Sequence, residues 1–326
     1  MMWRLVVVAA ALSVLPQRGT AGLTISGTVL DARGRVPVGV WVYASAATGA
    51  GSSTQTPAKI AADGSFTTPR LRPGTYALLV GPAPESSMDA DVDGGLAVVE
   101  LRGADLSGVT ITTRRYALRG RYVMRSDNRA ARWPAHLHVT PLWAGRADVA
   151  YVGGLSLGAP NGEFVLRNLF GEHILRPGYS AGPDRWWFDA IRLDGADVTD
   201  VPTDFSRKPD AKLEVVFTQH PARLEGTVTM PDGSPPTWAW VVAFGADRSE
   251  WRPWASRTHA MQVGRDGRYS FATRPGHLLI AAMPPRTYHA EGLRVTNFEA
   301  VAPLARLVTV ADRQRVRMDL QLRRQP

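Results

Sequence analysis

Thr24-Ile25-Ser26-Gly27-Thr28-Val29 returns as Ala117-Leu118-Arg119-Gly120-Arg121-Tyr122 and again as Arg223-Leu224-Glu225-Gly226-Thr227-Val228. Each copy is a short run of alternating side chains around a glycine, the pattern of a half-buried strand. Downstream of each comes a tight turn and an aromatic: Asp63-Gly64-Ser65-Phe66, Asn161-Gly162-Glu163-Phe164 and Asp266-Gly267-Arg268-Tyr269. Asp-Gly and Asn-Gly favour hairpin turns because both positions tolerate positive φ. A further glycine follows at Gly74, Gly171 and Gly276, each ahead of an apolar run. A closing element reads Leu101-Arg102-Gly103-Ala104-Asp105-Leu106 in the first copy and Leu193-Asp194-Gly195-Ala196-Asp197-Val198 in the second, with a looser third form at Val308-Thr309-Val310-Ala311-Asp312.

The marker glycines Gly27, Gly120 and Gly226 lie 93 and 106 residues apart. Each interval holds about seven short strands with frequent turn signals, which predicts an all-β chain of three tandem antiparallel sandwiches of Ig-like or prealbumin-like type. The expected boundaries are 22–113, 114–220 and 221–326. Arg114-Arg115 and His220-Pro221 serve as minimal linkers, so the sandwiches should form a semi-rigid rod. One short helix is expected around 296–301, stopped by Pro303.

Residues 1–21 have a signal-peptide layout: Arg4, an apolar run from Leu5 to Leu15, then the small-residue site Gly19-Thr20-Ala21. That run is shorter than the about 20 residues of a membrane span. The mature chain is therefore expected to be secreted or periplasmic, with no integral span. The chain has no cysteine, which excludes disulfides, thiolate nucleophiles and cysteine metal sites. It carries 38 basic and 29 acidic residues for a net +9, yet only Lys59, Lys208 and Lys212 are lysines. The arginines are spread along the chain rather than gathered in a stripe, which argues for solvated strand faces and against nucleic acid as a partner.

The order of these signals, with the strand Val40-Trp41-Val42, the Asp-Gly-x-aromatic turn, Pro73-Gly74-Thr75-Tyr76 and the closing Gly-x-Asp strand, resembles the carboxypeptidase regulatory-like domain. The resemblance covers the chain beyond residue 21 as three copies. It implies a transthyretin-like sandwich within the carbohydrate-binding-like folds, in an extracytoplasmic accessory or binding protein, and it implies no reaction.

The residues themselves offer little catalysis. No histidine has a glutamate three positions later, so the zinc-peptidase pair is absent. Gly154-Leu155-Ser156-Leu157-Gly158 matches a nucleophile elbow, but that serine needs a following helix, and Pro160-Asn161-Gly162 turns into another strand instead. His136 and His138 share one strand face without a visible third ligand. Asp89, Asp91, Asp93 and Glu100 have the spacing of a calcium loop, the one cofactor the chain suggests; a solvated acidic loop is the other reading. Trp186, Trp187, Trp251 and Trp254 are candidates for stacking on sugar rings or anchoring a partner, the alternative being packing over the sandwich edge. The expected function is therefore a non-catalytic binding or structural protein of the cell exterior. Its partner would be a polysaccharide or, on the scaffold or spacer reading, an envelope protein.

Overall fold

The computed structural model describes residues 22–46, 56–86, 90–128, 130–144, 156–157, 162–180, 185–252, 255–284 and 297–322. Among these residues the regular structure is almost all strand. The first seven are β1 (Ile25–Asp31), β2 (Val40–Ala46), β3 (Thr56–Lys59), β4 (Ser65–Thr67), β5 (Gly74–Pro82), β6 (Gly95–Leu101) and β7 (Leu106–Thr113). They pair as two sheets, β4-β1-β7 and β3-β2-β5-β6. The second sheet is antiparallel throughout, whereas β7 runs parallel to β1. Ile25, Val29, Val42, Leu78 and Ile111 fill the space between the sheets.

The second set is β8 (Ala117–Arg125), β9 (Ala135–Trp143), β10 (Ser156–Leu157), β11 (Glu163–Arg167), β12 (Glu172–Ser180), β13 (Trp187–Leu193), β14 (Ala196–Asp197), β15 (Thr203–Asp204) and β16 (Leu213–Thr218). Its sheets are β10-β9-β12-β15 and β11-β8-β16-β13-β14, with β16 parallel to β8. The third set is β17 (Ala222–Thr229), β18 (Trp240–Gly245), β19 (His259–Gln262), β20 (Arg268–Thr273), β21 (Gly276–Met283), β22 (Arg306–Val310), β23 (Arg315–Arg317) and β24 (Leu320–Gln321). These form β19-β18-β21-β22 and β20-β17-β23, with β23 and β24 both parallel to β17. The helix α1 (Phe298–Val301) is capped by the Asn297 side chain, and Pro303 lies in the 3-10 turn that follows.

The repeated marks acquire physical roles here. Gly27, Gly120 and Gly226 each lie directly opposite the aromatic of their own set: Phe66, Phe164 and Tyr269. All three aromatics are about 3% exposed. A side chain at Gly120 would start 2.3 Å from the Phe164 ring, and one at Gly27 would start 1.8 Å from the Val109 carbonyl oxygen. The glycine is therefore a space made for a ring or a neighbouring strand, and filling it would displace the core.

One expectation is refined and one corrected. The Asp-Gly turns do close locally, the Ala61 amide donating to the Ser65 carbonyl and the Gly264 amide to the Arg268 carbonyl, but the strands on either side, β3 and β4, and β19 and β20, belong to opposite sheets. The turn carries the chain across the sandwich, and its glycine carbonyl accepts a hydrogen bond from the first strand in all three sets, from Val29, Tyr122 and Val228. The closing element is also not equivalent in the first two sets. Leu101–Leu106 crosses from β6 to β7, in different sheets, whereas Leu193–Val198 is a hairpin of β13 and β14 in one sheet.

Candidate functional site

The four tryptophans nominated by sequence do not form a common binding face among the described residues. Trp186 is 2% exposed and packs in the core of the second set, its indole N–H donating to the Arg132 carbonyl at 2.7 Å. A ring so placed is closed to a ligand; Trp187, the next residue, opens β13. Trp187 is half-buried, with the Arg223 guanidinium 5.5 Å above its ring. Trp251 is committed to packing. It meets Phe244 edge-on at 5.6 Å and lies parallel to Phe298 at 6.2 Å, its N–H donates to Gly245, and Arg248 covers it at 5.5 Å. Trp254 lies outside the described residues.

The acidic loop is neutralised by arginine rather than gathered for a metal. Asp93 is 3.3 Å from Arg115, and Asp91 lies 3.6 Å from Arg167 and 3.9 Å from Arg115. Glu100 sits within β6, opposite Thr75, and its carboxylate binds Arg102 at 2.6 Å, a bond that holds its pKa below the usual range. The strand carries it away from the aspartates, as extended backbone must. Asp89 lies outside the described residues. Among the described residues no group of three His, Asp or Glu side chains is gathered to hold an ion.

The histidines divide. His136 adopts positive φ and is exposed, and His138 bonds the His136 carbonyl with its Nδ1 and lies over Gly178. His173 takes the core position that Tyr76 and Leu278 take in the other sets, and burial pushes its pKa down to about 4 against smaller opposing effects of the Gly171 carbonyl and Asp204. Burial likewise lowers His259 to about 4. Ser156 lies in β10, paired with Val139, and the next described element is the strand β11 rather than a helix. A groove of about 330 Å³ crosses the outer face of β11, β8 and β16, where Arg119, Arg121 and Lys212 alternate with Glu163 and Glu214. Arg121 and Glu214 pair across it at 2.5 Å, leaving no concentrated charge.

The densest polar chemistry lies where the strand sets meet. The Arg114 backbone pairs with Gly94, and its guanidinium reaches Ser206 at 3.0 Å and covers Phe170. Between the second and third sets, Arg274 is 7% exposed. It binds Asp197 at 2.6 Å, Ser256 at 3.0 Å and the Asp189 carbonyl. Beside it, Asp200 takes Arg176 at 2.5 Å on one oxygen and both the amide and hydroxyl of Ser256, at 2.8 and 2.6 Å, on the other. Asp200 does this from φ 63°, a left-handed conformation that aspartate tolerates. Sequence reading missed this cluster because its members are scattered from 176 to 274 and carry no motif.

No family model matches the chain, and no curated protein matches it. Among solved structures it is similar to the Bacillus anthracis TIE protein, at 10% identity and TM-score 0.23 over 92% of this chain. This chain spans 50% of that protein. It is also similar to a streptococcal ancillary pilin, at 10% identity and TM-score 0.24 over 91% of this chain and 98% of that one. BcpA, the major pilin subunit of Bacillus cereus, aligns at 11% identity and TM-score 0.25, over 92% and 98%. Likeness this slight carries no argument about function. No helix among the described residues is long and apolar enough to cross a membrane.

Proposed function

We propose that the chain is a non-catalytic extracytoplasmic protein of three sandwich modules, 22–113, 114–220 and 221–326, that acts as a spacer of fixed shape presenting binding surfaces outside the cytoplasm. The observation that carries this reading is the junction built on Arg274 and Asp200. Domains joined by short linkers move relative to one another unless their interface resists it. Across the junction the buried Arg274 donates to Asp197 and to the Asp189 carbonyl while Asp200 accepts from Ser256, and charge-assisted hydrogen bonds of this kind favour one relative orientation. The signal-peptide layout and the resemblance of each repeat to a carboxypeptidase regulatory-like module support the location and the absence of a reaction.

Small-angle scattering of residues 22–326 tests this. The expected profile fits one fixed arrangement, and Asp200→Ala should broaden it into a distribution of angles while each module stays folded. A wild-type profile that already needs a broad distribution would overturn the spacer reading. On this view the partner is a polysaccharide or envelope protein met by the exposed loops.

A further inference from the structure

The outer face of the five-stranded sheet in the second set carries its charges in rows that run across the strands. One row is Glu163, Arg121, Glu214 and Arg192, on β11, β8, β16 and β13, and each stands directly opposite the next. The signs alternate, so every carboxylate in the row has an arginine beside it. The neighbouring row, two residues back along β8, is Val165, Arg119 and Lys212. Arg119 lies opposite Val165, and Lys212 is level with Arg119 because Gly120 pairs with Leu213. Both cations are exposed, and neither side chain has a hydrogen-bond or carboxylate partner among the described residues. The Asp194 carboxylate beside Lys212 is taken by the Lys212 backbone amide at 2.9 Å.

Like charges side by side on paired strands repel and cost stability. The other sets avoid this arrangement. The position of Arg119 is held by Ser26 in the first set and by Glu225 in the third, where it stands opposite Arg317. The pair of like charges is therefore peculiar to the second set, and it lines one side of the groove of about 330 Å³ whose other side is Glu163, Arg121 and Glu214. The groove has no concentrated charge as a whole, but its two sides differ. One holds two unanswered cations, and the other holds carboxylates already matched by arginine.

We infer that this groove binds a uronic acid unit of an acidic polysaccharide, with Arg119 and Lys212 holding its carboxylate. The volume is at the small end of ligand sites and suits on the order of one or two sugar rings. A carboxylate set between two cations gains a charge-assisted contact from each. Sugar hydroxyls both donate and accept, which matches the mixed carboxylates and guanidinium of the alternating row. An acidic peptide or a densely sulfated chain fits less well, because Glu163 and Glu214 would repel a run of negative groups. The inference rests on the binding side of the proposed function: it adds a sheet face to the exposed loops and names the ligand class. Scattering tests the spacer geometry separately, so either reading can fail alone.

Isothermal titration of residues 22–326 with a galacturonic acid trimer at low salt is the test, with a neutral glucose trimer and a glutamate trimer as comparison ligands. Arg119→Gln and Lys212→Gln remove the proposed contacts. Arg265→Gln changes the net charge equally at an exposed arginine of the third set. The expected result is saturable uronate binding that weakens about tenfold in each groove variant, is unchanged in Arg265→Gln and falls as salt rises, with the neutral trimer inert. The melting temperatures of Arg119→Gln and Lys212→Gln should hold or rise, since repulsion is relieved. A fall of several degrees in either would overturn the proposal by showing that the fold already supplies a counter-charge. No uronate binding by folded wild type would also overturn it, as would binding that both groove variants retain, binding lost equally in Arg265→Gln, or equal binding of the neutral trimer. Tighter binding of the glutamate trimer, lost in the same groove variants, would overturn it in favour of an acidic peptide.

Discussion

Leu101-Arg102-Gly103-Ala104-Asp105-Leu106 and Leu193-Asp194-Gly195-Ala196-Asp197-Val198 differ at two positions of six, yet they are built into different structures. In the first, the chain leaves one sheet and enters the other, and Asp105 accepts the Thr24 amide of its own sandwich at 2.8 Å. In the second, Asp194 and Gly195 both take positive φ, 51° and 84°, and close a two-residue hairpin. That is the backbone of a type I′ turn, which aspartate followed by glycine accepts and arginine resists. β13 lies along β16, and β14, at the sheet edge beyond it, carries Asp197 to the junction, where it meets Arg274 of the third set. The exchange of Arg102 for Asp194, beside that of Leu106 for Val198, thus accompanies a change from a local staple to a contact between modules.

The comparison can be broken most forcefully at its aspartates. Asp197→Ala takes from the buried Arg274 the half-exposed carboxylate it donates to, and the expected cost is about 2 kcal/mol with a loosened junction, read by chemical denaturation and scattering. Asp105→Ala loses one hydrogen bond to an amide and should cost about 1 kcal/mol, with the junction unchanged. Equal effects would refute the difference in role.

A pH titration sharpens the same contrast. Burial raises the Asp197 pKa, but Thr199 and Arg274 outweigh it and the net shift is downward. A carboxyl lowered on folding contributes stability that is fully present above its unfolded pKa near 4 and is lost as pH falls through the lower folded value. The junction should therefore open in acid only below about pH 4. His173 acts earlier. Its folded pKa of about 4 against 6.5 means the unfolded chain binds the proton first, so stability falls by up to roughly 3 kcal/mol as pH drops from 6.5 to 4. His259, lowered to about 4 as well, adds a like slope, so His173→Leu, the residue type the third set uses at this place, should roughly halve the total in a melting series.

The glycines give the smallest and cleanest contrast. Gly195→Ala forces a side chain into positive φ and should cost about 1 kcal/mol, although open space surrounds it. Gly103 has the same open space but no left-handed conformation, so Gly103→Ala should leave the melting temperature within a degree or two, or raise it. A matched loss at both positions would show that the two turns are alike after all.

Much of the architecture was legible because its marks are local. Alternation set the strands, Asp-Gly and Asn-Gly set the turns, and the recurring glycine with its aromatic fixed the three-fold repeat. What misled were marks whose meaning depends on distant partners. The Asp89–Glu100 spacing matched a calcium loop, but pairing with β5 keeps Glu100 extended. Trp251 lies in a polar, proline-containing stretch, yet Phe244 and Phe298, on elements about fifty residues apart, close over it.

The sequence by itself determined the strands and the repeat, since each rests on residue types within a short window. Only the tertiary structure decided which tryptophans face water, which carboxylates meet arginine and how the sandwiches join. Those outcomes depend on neighbours brought together from dozens of residues apart, and no local pattern encodes which of two chemically equal side chains will find its partner.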